Sequence, residues 1–96
     1  MKPPYRLTKQ AEEDVRDIWL FVAADNIDAA DNLVDHFTEI FEQLTTNPHM
    51  GKSQEKYRPA LRCFPVGRYL LFYSMKENVI EVYRVLHGAR RLEDLL

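Results

Sequence analysis

The sequence predicts an α+β fold: an N-terminal strand, an antiparallel helical hairpin, then a three-stranded antiparallel meander. Three observations carry this. Apolar residues recur at helical spacing through the first half of the chain. From Leu61 onward the period changes to that of strands. Short polar or glycine-containing stretches separate the later apolar runs. Helices and antiparallel strands segregated in this way define the α+β class. Ninety-six residues form one domain with one core, covering positions 1–96.

Tyr5-Arg6-Leu7 is short, alternating and preceded by prolines. It reads as a brief edge strand, because proline cannot donate to a ladder. Thr8 is placed to cap a helix, with Glu12, Glu13 and Asp14 early in it. That helix should run from Lys9 to Ala24. Ala11, Val15, Ile18, Trp19 and Val22 fall on one face of a 3.6-residue period, whereas Leu20 and Phe21 do not. The late turns are therefore apolar nearly all round, as in helices buried on several sides. A contact within the domain is the simpler source of that burial, and another chain is the alternative.

Asp25-Asn26 ends the first helix, and Asp28 is placed to cap the second, expected over 29–45. Ala30, Leu33, Phe37, Ile40, Phe41 and Leu44 form its apolar stripe. Asp28, Asp31, Asp35, Glu39 and Glu42 form an opposite, solvated face. Asn47-Pro48 stops this helix, and residues 49–59 read as a loop. Leu61 to Phe64 is the next strand, with Pro65-Val66-Gly67 as its turn. Arg68 to Met75 is apolar on both faces and should be central. Lys76-Glu77-Asn78 turns the chain into a last strand from Val79 to His87. The two alternating sets of that strand, Ile80, Val82, Arg84, Leu86 and Val79, Glu81, Tyr83, Val85, His87, each mix polar and apolar residues. Which set faces the helices is left open. Arg91 to Leu96 reads as a helical turn or a tail. The core should gather Trp19, Phe37, Ile40, Phe41, Leu44, Leu71 and Tyr73.

Composition narrows the function. With 46% hydrophobic and 29% charged residues the chain belongs with folded globular proteins. A net charge of −2 argues against chain-wide affinity for nucleic acid. The charge is divided: residues 1–46 hold four Lys/Arg and ten Asp/Glu, and residues 47–96 hold nine and five. One acidic and one basic surface are expected. The single cysteine, Cys63, excludes an internal disulfide and a cysteine metal cluster, and fits a reducing compartment. No signal-peptide-like run opens the sequence, and the apolar run Ile18 to Ala24 is too short to cross a bilayer. A cytoplasmic protein without membrane contact is the expectation, with no cofactor and no metal.

The chemistry-bearing stretch is Arg84-Val-Leu-His-Gly-Ala-Arg-Arg91, where a strand ends and basic groups collect. Residues at a strand exit sit on a rigid base and face solvent. Ser53, Ser74 and Cys63 lack the base and acid of a nucleophilic set. Gly51-Lys52-Ser53 lacks the first glycine and the preceding strand of a phosphate-binding loop. His36 and Glu39 form one i, i+3 pair with no second, too few for a metal. A metal-free ribonuclease would need a general acid or base, which His87 can supply. It would also need cations for a phosphorane-like transition state, available from Arg62, Arg68, Arg84, Arg90 and Arg91. The same arginines would serve equally well to bind an acidic protein segment.

Several stretches together resemble the ParE branch of the RelE/ParE toxins of bacterial type II toxin–antitoxin systems. They are Tyr5-Arg-Leu-Thr8, Ala11-Glu-Glu-Asp-Val-Arg-Asp-Ile18, Pro48-His-Met-Gly51-Lys-Ser53, Leu61-Arg62, Arg68-Tyr-Leu-Leu-Phe-Tyr73 and Arg84-Val-Leu-His87. The resemblance implies a growth-inhibiting toxin of the kind used in plasmid stabilisation. It would be neutralised by a ParD-like antitoxin that folds on its surface, and would reach DNA only indirectly through the antitoxin complex. In the ParE branch the target is DNA gyrase and the toxin is not an enzyme. In the RelE branch it is a ribosome-dependent mRNA interferase. Arg62 and Arg90 stand where RelE-like ribonucleases keep arginines. Pro59-Ala60-Leu61 replaces their lysines, and Leu92-Glu-Asp-Leu-Leu96 lacks the RelE tyrosine. The resemblance thus implies a gyrase inhibitor, with an endoribonuclease using His87, Arg62 and Arg90 as the alternative, and a degenerate, non-toxic binding module as a third. The expected target- or antitoxin-binding residues are Leu20, Phe21, Arg62, Arg68, Arg84, His87, Arg90 and Arg91.

Overall fold

The computed structural model describes residues 4–88. The elements are β1 (Tyr5–Leu7), α1 (Lys9–Ala23), α2 (Ile27–Thr46), β2 (Lys52–Ser53), β3 (Arg62–Val66), β4 (Tyr69–Lys76) and β5 (Val79–His87). The sheet order is β1-β5-β4-β3-β2, so β4 is central as its double-sided apolar pattern requires. The β3-β4-β5 meander is antiparallel, and β1 lies parallel to β5.

Local chemistry explains the boundaries. Thr8 caps α1, its Oγ1 accepting from the Ala11 amide at 3.0 Å. Asn26, not Asp28, caps α2: its side-chain oxygen accepts from the Ala29 amide at 3.0 Å, which starts the helix two residues early and leaves Asp28 in the first turn. The loop after α2 contains β2, a two-residue strand too short to read from sequence. Pro65 and Val66 belong to β3 and not to the turn. β2 pairs only with Arg62 and Cys63, so the Pro65 nitrogen falls on a free edge where no amide is needed. The turn is Gly67-Arg68, with Gly67 at φ +60°. At the β4–β5 turn, Glu77 and Asn78 take φ of 52° and 63°, the two left-handed residues of a tight hairpin.

The helices cover one sheet face. Phe37, Ile40, Phe41 and Leu44 of α2 meet Leu71, Tyr73, Ile80, Val82 and Val85 of the sheet. Trp19, expected in this core, is half-buried beside it. Its indole N–H donates to Asp31 at 2.8 Å and ties α1 to α2. A smaller cluster of Leu61, Cys63, Phe72 and Leu86 occupies the other sheet face. The open question about β5 resolves through a bulge. Phe72 pairs with Arg84 but Tyr73 with Val82, so Tyr83 is an extra residue. The alternation changes phase there: Ile80 and Val82 face the helices before it, and Val85 after it. Neither strictly alternating set is the inner face.

Candidate functional site

The helix α1 runs alongside β5 in the same direction. Among the described residues the outer edge of β5 has no strand partner beyond Leu7, and α1 supplies the missing bonds. Thr8 Oγ1 donates to the Tyr83 carbonyl at 2.8 Å. Asp14 accepts from the Val85 amide at 3.0 Å, so an edge that would recruit another strand is closed by side chains. The same carboxylate accepts from Arg84 Nε at 2.8 Å and Nη2 at 2.9 Å. This bidentate pair is mostly sheltered, with side-chain exposures of 18% and 13%. Hydrogen bonding to Asp14 raises the Arg84 pKa above its ordinary value, against a smaller lowering by burial. Arg84 is therefore engaged in holding α1 to the sheet. The signal for Asp14 was present in sequence only as one acidic residue near a helix start.

Arg84 and His87 do share one cleft, with Asp14, Asp17, Ile18, Tyr69, Val85 and Leu86. His87 is exposed and meets the Tyr69 ring edge-on at 5.7 Å. Tyr69 in turn meets Phe37 at 5.6 Å, which links the strand exit to the core. Arg68 lies at the adjacent turn with an exposed side chain, and its carbonyl accepts from the Gly88 amide at 2.8 Å. Arg90 and Arg91 lie outside the described residues.

Arg62 is elsewhere. It pairs with Tyr73 across β3 and β4, and its guanidinium donates to the Gly51 carbonyl at 2.7 Å. Tyr73 is the centre of this second arrangement. Its hydroxyl accepts from the Gly51 amide and donates to the Pro48 carbonyl, both at 2.8 Å. A Cβ on Gly51 would sit 2.7 Å from two Tyr73 atoms and 2.9 Å from the Cys63 carbonyl. Gly51 thus permits a close backbone approach, which is why a glycine opens the Gly51-Lys52-Ser53 stretch. Nearby Cys63 is buried, and desolvation pushes its thiol up to about 11. It behaves as a small core residue.

The remaining candidates stand at the hairpin tip. Leu20 and Phe21 are 56% and 80% exposed, so the expected burial within the domain does not occur. Ile27, at the start of α2, joins them at 59%. Leu20 and Phe21 lie off the apolar face of α1 that carries Ala11, Val15, Ile18, Trp19 and Val22. The apolar excess seen in sequence is therefore surface.

Residues 5–92 match the family model described as ParE toxin of type II toxin-antitoxin system, parDE. The chain belongs to the ParE toxin family. It is 31% identical over 87 residues to Toxin ParE1 of Caulobacter vibrioides, covering 90% of each chain. The fold is shared with the solved chromosomal ParDE TA system from P. aeruginosa at a TM-score of 0.71 and 19% identity, covering 86% of this chain and 92% of that one. As a ParE toxin of a type II system, this protein has an antitoxin for a partner. Among the described residues no helix is long and apolar enough to cross a membrane, and no group of three or more His, Cys, Asp or Glu is placed to hold a metal.

Proposed function

We propose that this ParE toxin inhibits growth by binding DNA gyrase in the cytoplasm, without bond-breaking chemistry of its own, and that a ParD-like antitoxin neutralises it. The family match along nearly the whole chain carries the reading. The separation of Arg62 and His87, the described residues that the resemblance to RelE-like ribonucleases would use, supports it. Arg62 pairs with Tyr73 and His87 pairs with Tyr69, four residues apart on β4 and on opposite sides of it. At strand spacings their backbones are about 13 Å apart along the sheet and about 10 Å across it. A general acid or base must reach its proton within hydrogen-bond distance, and a stabilising cation must stand beside the same phosphate. Leu20 and Phe21 offer apolar contact for a partner, Arg68 and His87 offer polar contact at the strand exit, and Arg90 and Arg91, which follow in the sequence, are proposed to join them.

The test is a supercoiling assay with purified gyrase and toxin, with and without antitoxin, alongside primer-extension mapping of cellular messages. Inhibited supercoiling or trapped cleaved DNA, relieved by antitoxin, with uncut messages, is expected. Unaffected gyrase together with cut messages would replace this reading with the interferase one.

A further inference from the structure

The segment between α2 and β3 is the cationic counterpart of the helical hairpin. From 47 to 62 the sequence holds Lys52, Lys56, Arg58 and Arg62 against one acid, Glu55. From 17 to 46 it holds seven Asp/Glu and no Lys or Arg. Lys52, Lys56 and Arg58 are exposed, and Arg62 is half-buried. Arg6 and Arg84 are paired with Glu81 and Asp14, but among the described residues none of these four cations forms an ion pair. Their charge is left for a partner.

The segment also holds them in place. Lys52 and Ser53 pair with Cys63 and Arg62 as β2. Past β2 the Gln54 amide donates to the Leu61 carbonyl at 2.7 Å, and the Leu61 amide to the Arg58 carbonyl at 3.2 Å. Leu61 itself is buried in the cluster on the outer sheet face. Arg58 lies over the Tyr83 ring, 4.2 Å from its centroid. An arginine held over an aromatic ring keeps its N–H groups for an acceptor beside the ring. Arg62 donates to the Gly51 carbonyl at 2.7 Å and lines an open pocket with His49 and Ser53, which leaves the rest of its donor fork for a ligand there. Cations positioned in advance lose little side-chain freedom on binding.

We propose that this segment is a docking surface for the phosphate backbone of duplex DNA, which the toxin meets directly and not through its antitoxin. The choice of DNA among polyanions rests on the reading of gyrase, an enzyme that holds DNA, as the target. Arginine suits the contact because its fork donates two bonds to one phosphate. The net charge of the chain is −2, so affinity is confined to this surface. The acidic hairpin is repelled by the duplex, and the two charges together orient the toxin on it. Backbone contacts position a protein without reading bases, so the binding has no sequence preference.

The experiment titrates a short fluorescein-labelled DNA duplex with the full-length toxin, read by polarisation across a salt series. Single-stranded RNA and poly-glutamate of matched charge serve as competitors. The variants are Lys52→Ala/Lys56→Ala, Arg58→Ala and, as a basic residue on α1 outside the segment, Arg16→Ala, with circular dichroism confirming the fold of each. Wild type is expected to bind at low salt, with log K falling against log salt at a slope of about −3 to −4, as for four neutralised phosphates. The double variant should lose about tenfold in affinity and about two units of that slope. Arg58→Ala should weaken binding as well, and Arg16→Ala should not. The same double variant should bind antitoxin as wild type does and inhibit gyrase less. Absence of duplex binding at low salt would overturn the proposal, as would binding that the segment variants leave unchanged. Stronger competition by poly-glutamate than by unlabelled duplex would reassign the surface to an acidic protein, and stronger competition by the RNA would reassign it to RNA. Gyrase unaffected by wild-type toxin would refute the gyrase reading, and the polarisation series would still decide the DNA contact.

Discussion

The two ends of the helical hairpin use the same kind of residue for opposite purposes. Toward the C-terminal end of α2, Phe37, Phe41 and Leu44 are buried against Leu71, Tyr73 and Val82. At the turn between the helices, Leu20, Phe21 and Ile27 stand in water. Hydropathy does not separate them; the helix face on which each residue lies does. Leu20 and Phe21 lie off the apolar face that carries Ala11, Val15, Ile18, Trp19 and Val22, and among the described residues they are left exposed while Trp19 of the same turns is half-buried against α2. A helix that is apolar all round over part of its length can thus mark the edge of a fold as readily as its centre.

That contrast can be broken first at its buried side. Phe37→Ala should cost about 3–5 kcal/mol of stability, since Phe37 is fully buried and its cavity would be held open by the sheet. Phe41→Ala should fall in the same range, and denaturant unfolding measures both. Asp14→Asn should follow at about 1.5–3 kcal/mol. It removes the charge from a sheltered bidentate pair and weakens the acceptor that closes the β5 edge. Gly51→Ala should cost about 1–3 kcal/mol, because its new methyl group must displace the Tyr73 ring or the Cys63 carbonyl.

The pH dependence tests the same interior. The folded-state pKa of Cys63 is raised from 9.0 to about 11, and that of Tyr73 is raised above 10.0, both through burial. Groups held neutral by the fold contribute stability that is complete below their unfolded pKa and is lost as pH rises past it. Stability should therefore be insensitive to these two groups below pH 9 and fall from there toward pH 11, as seen by unfolding at fixed denaturant. The native thiol should also resist alkylation at pH 8 until the protein unfolds. The smallest effect is expected at the exposed side of the comparison. Phe21→Ala should change stability by no more than about 0.5 kcal/mol.

The sequence made the hairpin, the central position of β4 and most core residues legible, because periodicity reports burial whenever burial follows a regular element. Three features that escaped it bear on the site. The bulge at Tyr83 shifts the alternation of β5 within one strand, so its inner face could not be read as one set. Asp14 and Arg84 meet across 70 positions, and nothing local in either stretch announces the pair. The Tyr73 bonds to Gly51 and Pro48 likewise join distant segments, although the glycine itself was visible. For the candidate site, Leu20 and Phe21 were legible as an apolar excess off the main stripe of α1, but whether another element covered that side could be read only from the fold. The basic stretch from Arg84 to Arg91 looked uniform in sequence. In the fold Arg84 turns back onto α1, while His87 borders the cleft.

Leu20 and Phe21 should hold a partner more firmly than the arginines after β5 do. Exposed arginine–carboxylate pairs are each worth only about 0–1 kcal/mol, whereas desolvated apolar anchors carry most interface energy. Calorimetric titration of Leu20→Glu and Arg91→Ala with the antitoxin, each with its fold confirmed by circular dichroism, tests it most directly. A larger affinity loss for Leu20→Glu than for Arg91→Ala is predicted; a larger loss for Arg91→Ala would contradict the account and show that electrostatics at the strand exit hold the complex together.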